Sequence, residues 1–156
     1  MNSDVPAIDP VEIIRRAYEL YASRGGADDR ALDDCLDAWQ LARTANTNLL
    51  LTGPENITST LVDALFPFLR EPVIALRPGE PLVLAPTAEI GTLILHDVWR
   101  LALADQFRLL NWQDRATRRT QVISTTSTPL LPVVNAGGFL GELYYRLNTV
   151  SLEVTI

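Results

Sequence analysis

The sequence predicts an α/β fold: a three-layer α/β/α sandwich built on a parallel sheet of about five strands. Two observations carry this. Short apolar runs, such as Leu49-Leu50-Leu51 and Leu93-Ile94-Leu95, alternate with segments of helical periodicity. The runs are nearly continuous rather than alternating, as strands covered on both faces require.

The elements follow in order. Asp9-Pro10-Val11-Glu12 has the cap, proline and acid of a helix start, and Ile14, Tyr18 and Tyr21 recur at helical spacing until Gly25-Gly26. A second helix is expected from about Asp29, with Leu32, Cys35, Leu36 and Trp39 on one face. Leu49 to Thr52 reads as a buried strand ending in the loop Gly53-Pro54. Thr58 and Ser59 are expected to cap a short helix through Leu61, Val62, Leu65 and Phe66, which Pro67 ends or kinks. Val73 to Leu76 is a strand, Pro78-Gly79-Glu80-Pro81 a turn, and Leu82 to Leu84 a short edge strand. Gly91 to Leu95 is a buried strand ending in His96-Asp97. A helix carrying Leu103, Phe107 and Leu110, a strand over Gln121 to Thr125, a helix over Phe139 to Asn148 and a strand over Val150 to Val154 complete the chain. The expected organisation is one compact domain, with residues 1–45 as a helical segment packed on a core of residues 46–156.

Composition narrows the function classes. A chain of 156 residues supports one sizeable core. No apolar run reaches the ~18–20 residues of a membrane span. Met1 to Asp9 has neither the basic nor the apolar region of a secretory signal, and Cys35 is the single cysteine, so a cytoplasmic protein without a disulfide framework is expected. A net charge of −6 argues against direct nucleic-acid binding. All 13 basic residues are arginine, which removes any mechanism that needs an ammonium side chain.

From about Asn46 to Val154 the chain resembles the AAA+ core of sigma-54-dependent transcriptional activators, the sigma-54 interaction domain. Gly91 to Leu95 matches the strand leading to the family's Walker B acids. Leu103, Gln106, Leu109 and Leu110 match its Leu-x-x-Gln-x-x-Leu-Leu helix. Phe139, Leu143, Tyr144, Tyr145, Arg146, Leu147 and Asn148 match its Phe-Arg-Glu-Asp-Leu-Tyr-Tyr-Arg-Leu-Asn stretch. The resemblance implies a P-loop NTPase-like sheet with the strand before Gly53 central.

The departures from that pattern concern chemistry. A working phosphate loop, G-x-x-x-x-G-K-[ST], offers glycine backbone N–H groups, a lysine charge and a hydroxyl near magnesium. Here Gly53 survives, Pro54 has no N–H, Glu55 adds negative charge, and Asn56 and Thr58 replace glycines. Ser59 stands in place of the lysine, followed by Thr60. The acid pair becomes His96-Asp97, and imidazole is a poor magnesium ligand. Trp99 replaces a small glycine. No partner suggests that His96 holds a transition metal; a strand-end histidine hydrogen-bonded to its neighbours is expected. Thr125, Thr126 and Ser127 occupy the sensor position, where satisfying backbone groups is the expected role. Of the family's two trans-acting arginines, the first position is Leu140 and the second keeps Arg146, which would serve a neighbouring subunit or a structural salt bridge.

The resemblance also implies that the loop contacting the sigma factor is missing between Leu61 and Gly91, and that the chain carries no helical lid. A vestigial nucleotide site of Gly53, Thr58, Ser59, Thr60, His96, Asp97 and Thr126 is therefore expected, with no catalytic residue, no metal and no bound ATP or magnesium. The corresponding function is a catalytically inactive AAA+-like regulatory module that binds a protein, an intact activator or itself, in bacterial transcription control. The alternatives are a nucleotide-binding regulator with weak or no hydrolysis and a structural subunit of a homo-oligomer. Three further features read as ordinary: the cluster of Asp28, Asp29, Asp33, Asp34 and Asp37 as a solvated face, Arg115, Arg118 and Arg119 as a hydrated loop, and Cys35 as a buried small hydrophobe.

Overall fold

Leu49, Leu50 and Leu51 are all buried, and an extended chain points them alternately to opposite sides, so this strand needs an apolar layer on each face. A computed structural model supplies both layers; it describes residues 29–84, 90–115 and 120–154. The expected first helix with Ile14, Tyr18 and Tyr21, and the residues Asp28, Arg118 and Arg119, lie outside the described residues, as do the side chains of Asp29, Leu32 and Cys35.

The elements are α1 (Asp29–Ala45), β1 (Leu49–Thr52), α2 (Glu55–Leu65), a 3-10 turn (Phe66–Phe68), β2 (Val73–Leu76), β3 (Thr92–Leu95) and a second 3-10 turn (Val98–Arg100). They continue with α3 (Leu103–Asp114), β4 (Gln121–Thr126), α4 (Leu130–Asn135), α5 (Gly141–Leu147) and β5 (Val150–Glu153). All strand pairs are parallel, in the order β2-β3-β4-β1-β5. The register sets Leu50 opposite Ser124 and Ser151, and Ile94 opposite Ile123.

Leu49, Leu51, Ile94 and Ile123 face one layer, made by Leu36, Trp39 and Ala42 of α1 and Ile57, Leu61, Val62 and Leu65 of α2. Leu50, Leu93, Leu95 and Val122 face the other, where Leu109, Leu110 and Trp112 of α3 and Leu143 and Leu147 of α5 pack. The three-layer sandwich is therefore as the sequence predicts. α1 belongs to it: Trp39 is 2% exposed, and the Arg43 guanidinium lies 5.3 Å above its ring.

Four local expectations are corrected. Leu82 to Leu84 forms no strand; Leu82 is a buried plug in the second layer, with the prolines around it unsuited to a ladder. The helix after β1 starts at Glu55 rather than at a Thr58-Ser59 cap, because the Pro54 carbonyl already accepts from the Ile57 and Thr58 N–H groups. The helix expected from Phe139 starts at Gly141, and Phe139 instead buries itself in the second layer. The strand before Gly53 is interior, yet the middle position belongs to β4, since β5 alone lies beyond β1. One element was not anticipated. α4 forms despite Pro129 and Pro132, because Pro129 is its N-cap and Pro132 falls in the first turn, where N–H groups have no helical partner.

Gln106 joins two of these elements. It is fully buried; its Nε2 donates to the carbonyls of Leu101 (2.9 Å) and Gly138 (3.1 Å), and its Oε1 accepts from the Leu140 N–H at 2.9 Å. The glutamine of the Leu-x-x-Gln-x-x-Leu-Leu pattern thus ties α3 to the segment that leads into α5. Gln106→Leu removes three part-buried hydrogen bonds to backbone groups and is expected to destabilise the protein by about 1–3 kcal/mol, read from denaturant unfolding. A loss under about 0.5 kcal/mol contradicts this role.

Candidate functional site

In open parallel sheets ligands bind outside the carboxyl ends of the strands. Those ends bring together Gly53 after β1, His96 and Asp97 after β3, and Thr125, Thr126 and Ser127 at the end of β4. Every residue of the expected vestigial site is on or directly after these strand ends or in the first two turns of α2.

Two residues, Gly53 and Pro54, join β1 to α2. The Gly53 N–H donates to the Thr126 carbonyl at 3.0 Å, and the Ile57 and Thr58 N–H groups each donate to Pro54 at 3.0 Å. Pro54 has no N–H. The glycine is required by packing: a Cβ at Gly53 would sit 2.6 Å from the Val154 carbonyl oxygen. The Thr58 hydroxyl donates to the Glu55 carbonyl (3.3 Å) and that of Thr60 to the Asn56 carbonyl (2.7 Å), while Ser59 is half-buried on the same helix.

Asp97 is 3% exposed and takes left-handed backbone angles, φ 52° and ψ 54°. That conformation costs a non-glycine residue about 1–2 kcal/mol and needs fixing from its surroundings. Thr125 supplies some of this, its Oγ1 accepting the Asp97 N–H at 3.0 Å. The Asp97 carboxylate is engaged at both oxygens. Oδ1 accepts from the Ser127 N–H (2.9 Å) and the Ser127 hydroxyl (2.8 Å). Oδ2 is 3.1 Å from Arg100 Nε, an ion pair without hydrogen-bond alignment. Trp99 donates its indole N–H to the same Ser127 oxygen at 3.2 Å, so it lies against the end of β4. Thr126 is fully buried and donates to the Thr128 carbonyl at 2.6 Å. The Thr125 and Thr126 hydroxyls thus bond backbone groups, whereas that of Ser127 bonds the Asp97 carboxylate.

His96 departs from its expectation. Its backbone N–H extends the β2–β3 ladder to the Leu76 carbonyl at 2.9 Å, but the buried Nδ1 has no hydrogen-bond partner. Arg146 sits away from this cluster, at the end of α5, and pairs with Asp114 of α3. Both side chains are substantially exposed, so the pair contributes at most about 1 kcal/mol. Among the described residues no group of three or more metal-ligating side chains is positioned to hold a metal.

These residues do not fit a magnesium–triphosphate group. A phosphate loop wraps its anion with successive free N–H groups. Here the Gly53 donor is spent on β4, Pro54 offers none, and the one carboxylate is closed on Ser127 and Arg100. Arg100, Arg77 and Glu80, which also approach this end of the sheet, are not singled out by the sequence; the available signal is the Pro78-Gly79-Glu80-Pro81 turn directly after β2.

Burial lowers the His96 pKa below 6.5, and the Arg77 charge lowers it further, opposed by Asp63, Glu55 and Glu80. The folded state therefore binds the proton less well than the unfolded state. The associated stability is present above about pH 6.5 and is lost as pH falls through the lower folded pKa. Unfolding free energy should decline on acidification below pH 6.5, and His96→Gln should flatten that decline. An unchanged slope in the variant contradicts the assignment.

Comparison with known proteins fits this arrangement of strands. The family model described as the sigma-54 interaction domain matches residues 32–156. The sigma54-dependent transcriptional regulator SfnR of Pseudomonas fluorescens is 37% identical over 79 residues, covering 44% of this chain and 22% of that protein. The transcriptional regulatory protein ZraR of Escherichia coli is 37% identical over 78 residues, covering 43% of this chain and 18% of ZraR. The matches thus span about a fifth of these relatives' length. Among solved structures, NtrX from Brucella abortus in complex with ATP superposes with a TM-score of 0.60 at 17% identity, over 80% of this chain and 36% of NtrX. The P-loop NTPase domain of the sigma-54 transport activator from E. coli gives a TM-score of 0.50 at 15% identity, over 78% of this chain and 94% of that domain. At those identities the structural likeness speaks for the fold alone, but the family match covers most of the chain: the protein belongs to the sigma-54 interaction domain family.

Proposed function

We propose that this chain is a catalytically inactive AAA+-like module that regulates bacterial transcription in the cytoplasm by binding another protein. The observation that carries the reading is the two-residue connection Gly53-Pro54 between β1 and α2, whose backbone donors are absent or already engaged. The closure of the Asp97 carboxylate on Ser127 and Arg100 supports it from the other side of the cleft. Family membership supplies the link to transcription, since the relatives SfnR and ZraR are transcriptional regulators.

The partner is a protein, an intact activator of the same family or a second copy of this chain. Exposed apolar side chains on the helical layer support this: Leu103 and Phe107 on α3, Leu131 on α4 and Tyr145 on α5. The net charge of −6 disfavours nucleic acid as the direct partner. No ATP, magnesium or other cofactor takes part.

Calorimetric titration with ATP and magnesium, with phosphate release measured in parallel, tests the inactive reading. Neither saturable binding nor turnover is expected; micromolar binding together with turnover overturns it. Arg146→Ala tests the interface assignment. Loss of the Asp114 pair alone should change stability by less than about 1 kcal/mol. A role toward a neighbouring subunit requires in addition a fall in assembly mass by light scattering. An unchanged mass in a protein that does assemble assigns Arg146 to the intramolecular pair.

A further inference from the structure

A cavity of about 380 Å³ opens at the carboxyl ends of β2 and β3, between residues 76–82 and 95–105. Its lining does not include Gly53 to Thr60, Thr126 or Ser127, so it lies to the β2 side of the former phosphate position. The volume falls at the lower end of the ~300–1,000 Å³ typical of small-molecule sites. Its wall is apolar where Leu82, Leu95 and Val98 contribute, each at most 5% exposed. His96 also lines it, at 7% exposure, with Nδ1 unpartnered. Leaving a buried polar group unpaired costs about 1–3 kcal/mol, and in a native structure such a group calls for a cause.

The charges around the cavity sort into matched and unmatched. Arg100 is paired with Asp97, and Asp105 with Arg108. Arg77 and Glu80 are exposed at either end of the turn after β2 and line the cavity. Among the described residues neither has an ion pair, with each other or with any other group. They influence the His96 charge in opposite directions, so both lie within electrostatic reach of the ring. The unmatched charges are thus one cation and one anion above an aliphatic wall. A simple anion would meet Glu80, and a simple cation would meet Arg77.

We propose that this cavity binds a small zwitterion with an aliphatic body, of the size of a branched-chain amino acid, whose carboxylate pairs with Arg77, whose ammonium pairs with Glu80 and whose apolar part rests on Leu82, Leu95 and Val98. His96 Nδ1 itself is sealed from the cavity, so the ring reports on the ligand as part of the wall rather than bonding to it. The site shares His96 and Asp97 with the vestigial nucleotide site but none of its phosphate-loop residues, so ligand binding does not depend on ATP.

The chain has one histidine, so the His96 imidazole protons are an unambiguous NMR reporter inside the cavity. L-Leucine, titrated into the intact protein to millimolar concentration, is expected to shift the His96 signals saturably. Removing either charge from the ligand, as in 4-methylpentanoate or isoamylamine, should weaken binding about tenfold. Arg77→Gln and Glu80→Gln, both at exposed positions that leave the core intact, should each do the same to L-leucine. ATP with magnesium should not displace the ligand. The proposal is overturned if the His96 signals stay flat in a protein whose spectrum remains that of the folded state. It is equally overturned if 4-methylpentanoate binds as tightly as L-leucine, if both variants keep the parent affinity, or if ATP competes.

Discussion

Parallel pairing of β1, β3 and β4 is the constraint on which everything else depends. These strands are buried almost throughout, so their apolar side chains are divided between the two layers. Leu49 and Leu51 go one way and Leu50 the other, and Ile94 and Leu95 divide in the same manner. A one-residue slip would exchange the two sets and face each layer with side chains shaped for the other. The register therefore fixes where α1 and α2 lie, and where α3 and α5 lie on the opposite side. Because all strands run the same way, their carboxyl ends collect the polar residues into one cleft.

Around the former phosphate position Gly53, Asp97, Thr125, Thr126 and Ser127 are bonded to neighbouring groups of the protein. Each internal hydrogen bond nets only about 0.5–1.5 kcal/mol, but breaking one around a buried carboxylate leaves a more costly orphan. A phosphate entering near Gly53 would compete with the Thr126 carbonyl for the glycine N–H. A magnesium ion would compete with Ser127 and Arg100 for Asp97. The family's skeleton and its phosphate chemistry rest on different residues. The skeleton depends on apolar alternation and on ties such as Gln106, whereas the chemistry depends on a few N–H groups and acids. That division is why we read this chain as a module that acts through its surface.

The sequence made the skeleton legible because its signals are local. The apolar runs Leu49 to Leu51 and Leu93 to Leu95 and the helical spacing of Leu36, Trp39, Leu109 and Leu110 depend on close neighbours. α4 was hidden because its two prolines resemble loop punctuation, although their positions at the helix start make them harmless. Leu82 to Leu84 misled in the opposite sense, since an apolar triplet beside prolines looks like an edge strand whether or not a ladder partner exists. The site was legible as a set of strand ends, carried by the resemblance around His96, Asp97 and Thr126. Its connections were not. Asp97 and Ser127 are 30 residues apart, and Arg146 and Asp114 are 32 apart, so no spacing rule announces them. The unpartnered His96 nitrogen was invisible for the same reason, because a missing hydrogen bond is a property of the packed molecule.

Amide NMR spectra of the isotope-labelled protein, recorded with and without millimolar ATP and magnesium, test the central claim most directly. If the cleft is closed on itself, the amide resonances of Gly53, Thr58 and Ser127 stay where they are. A saturable shift of these three together would mean that a nucleotide has displaced the Thr126 and Asp97 contacts, and it would contradict the account.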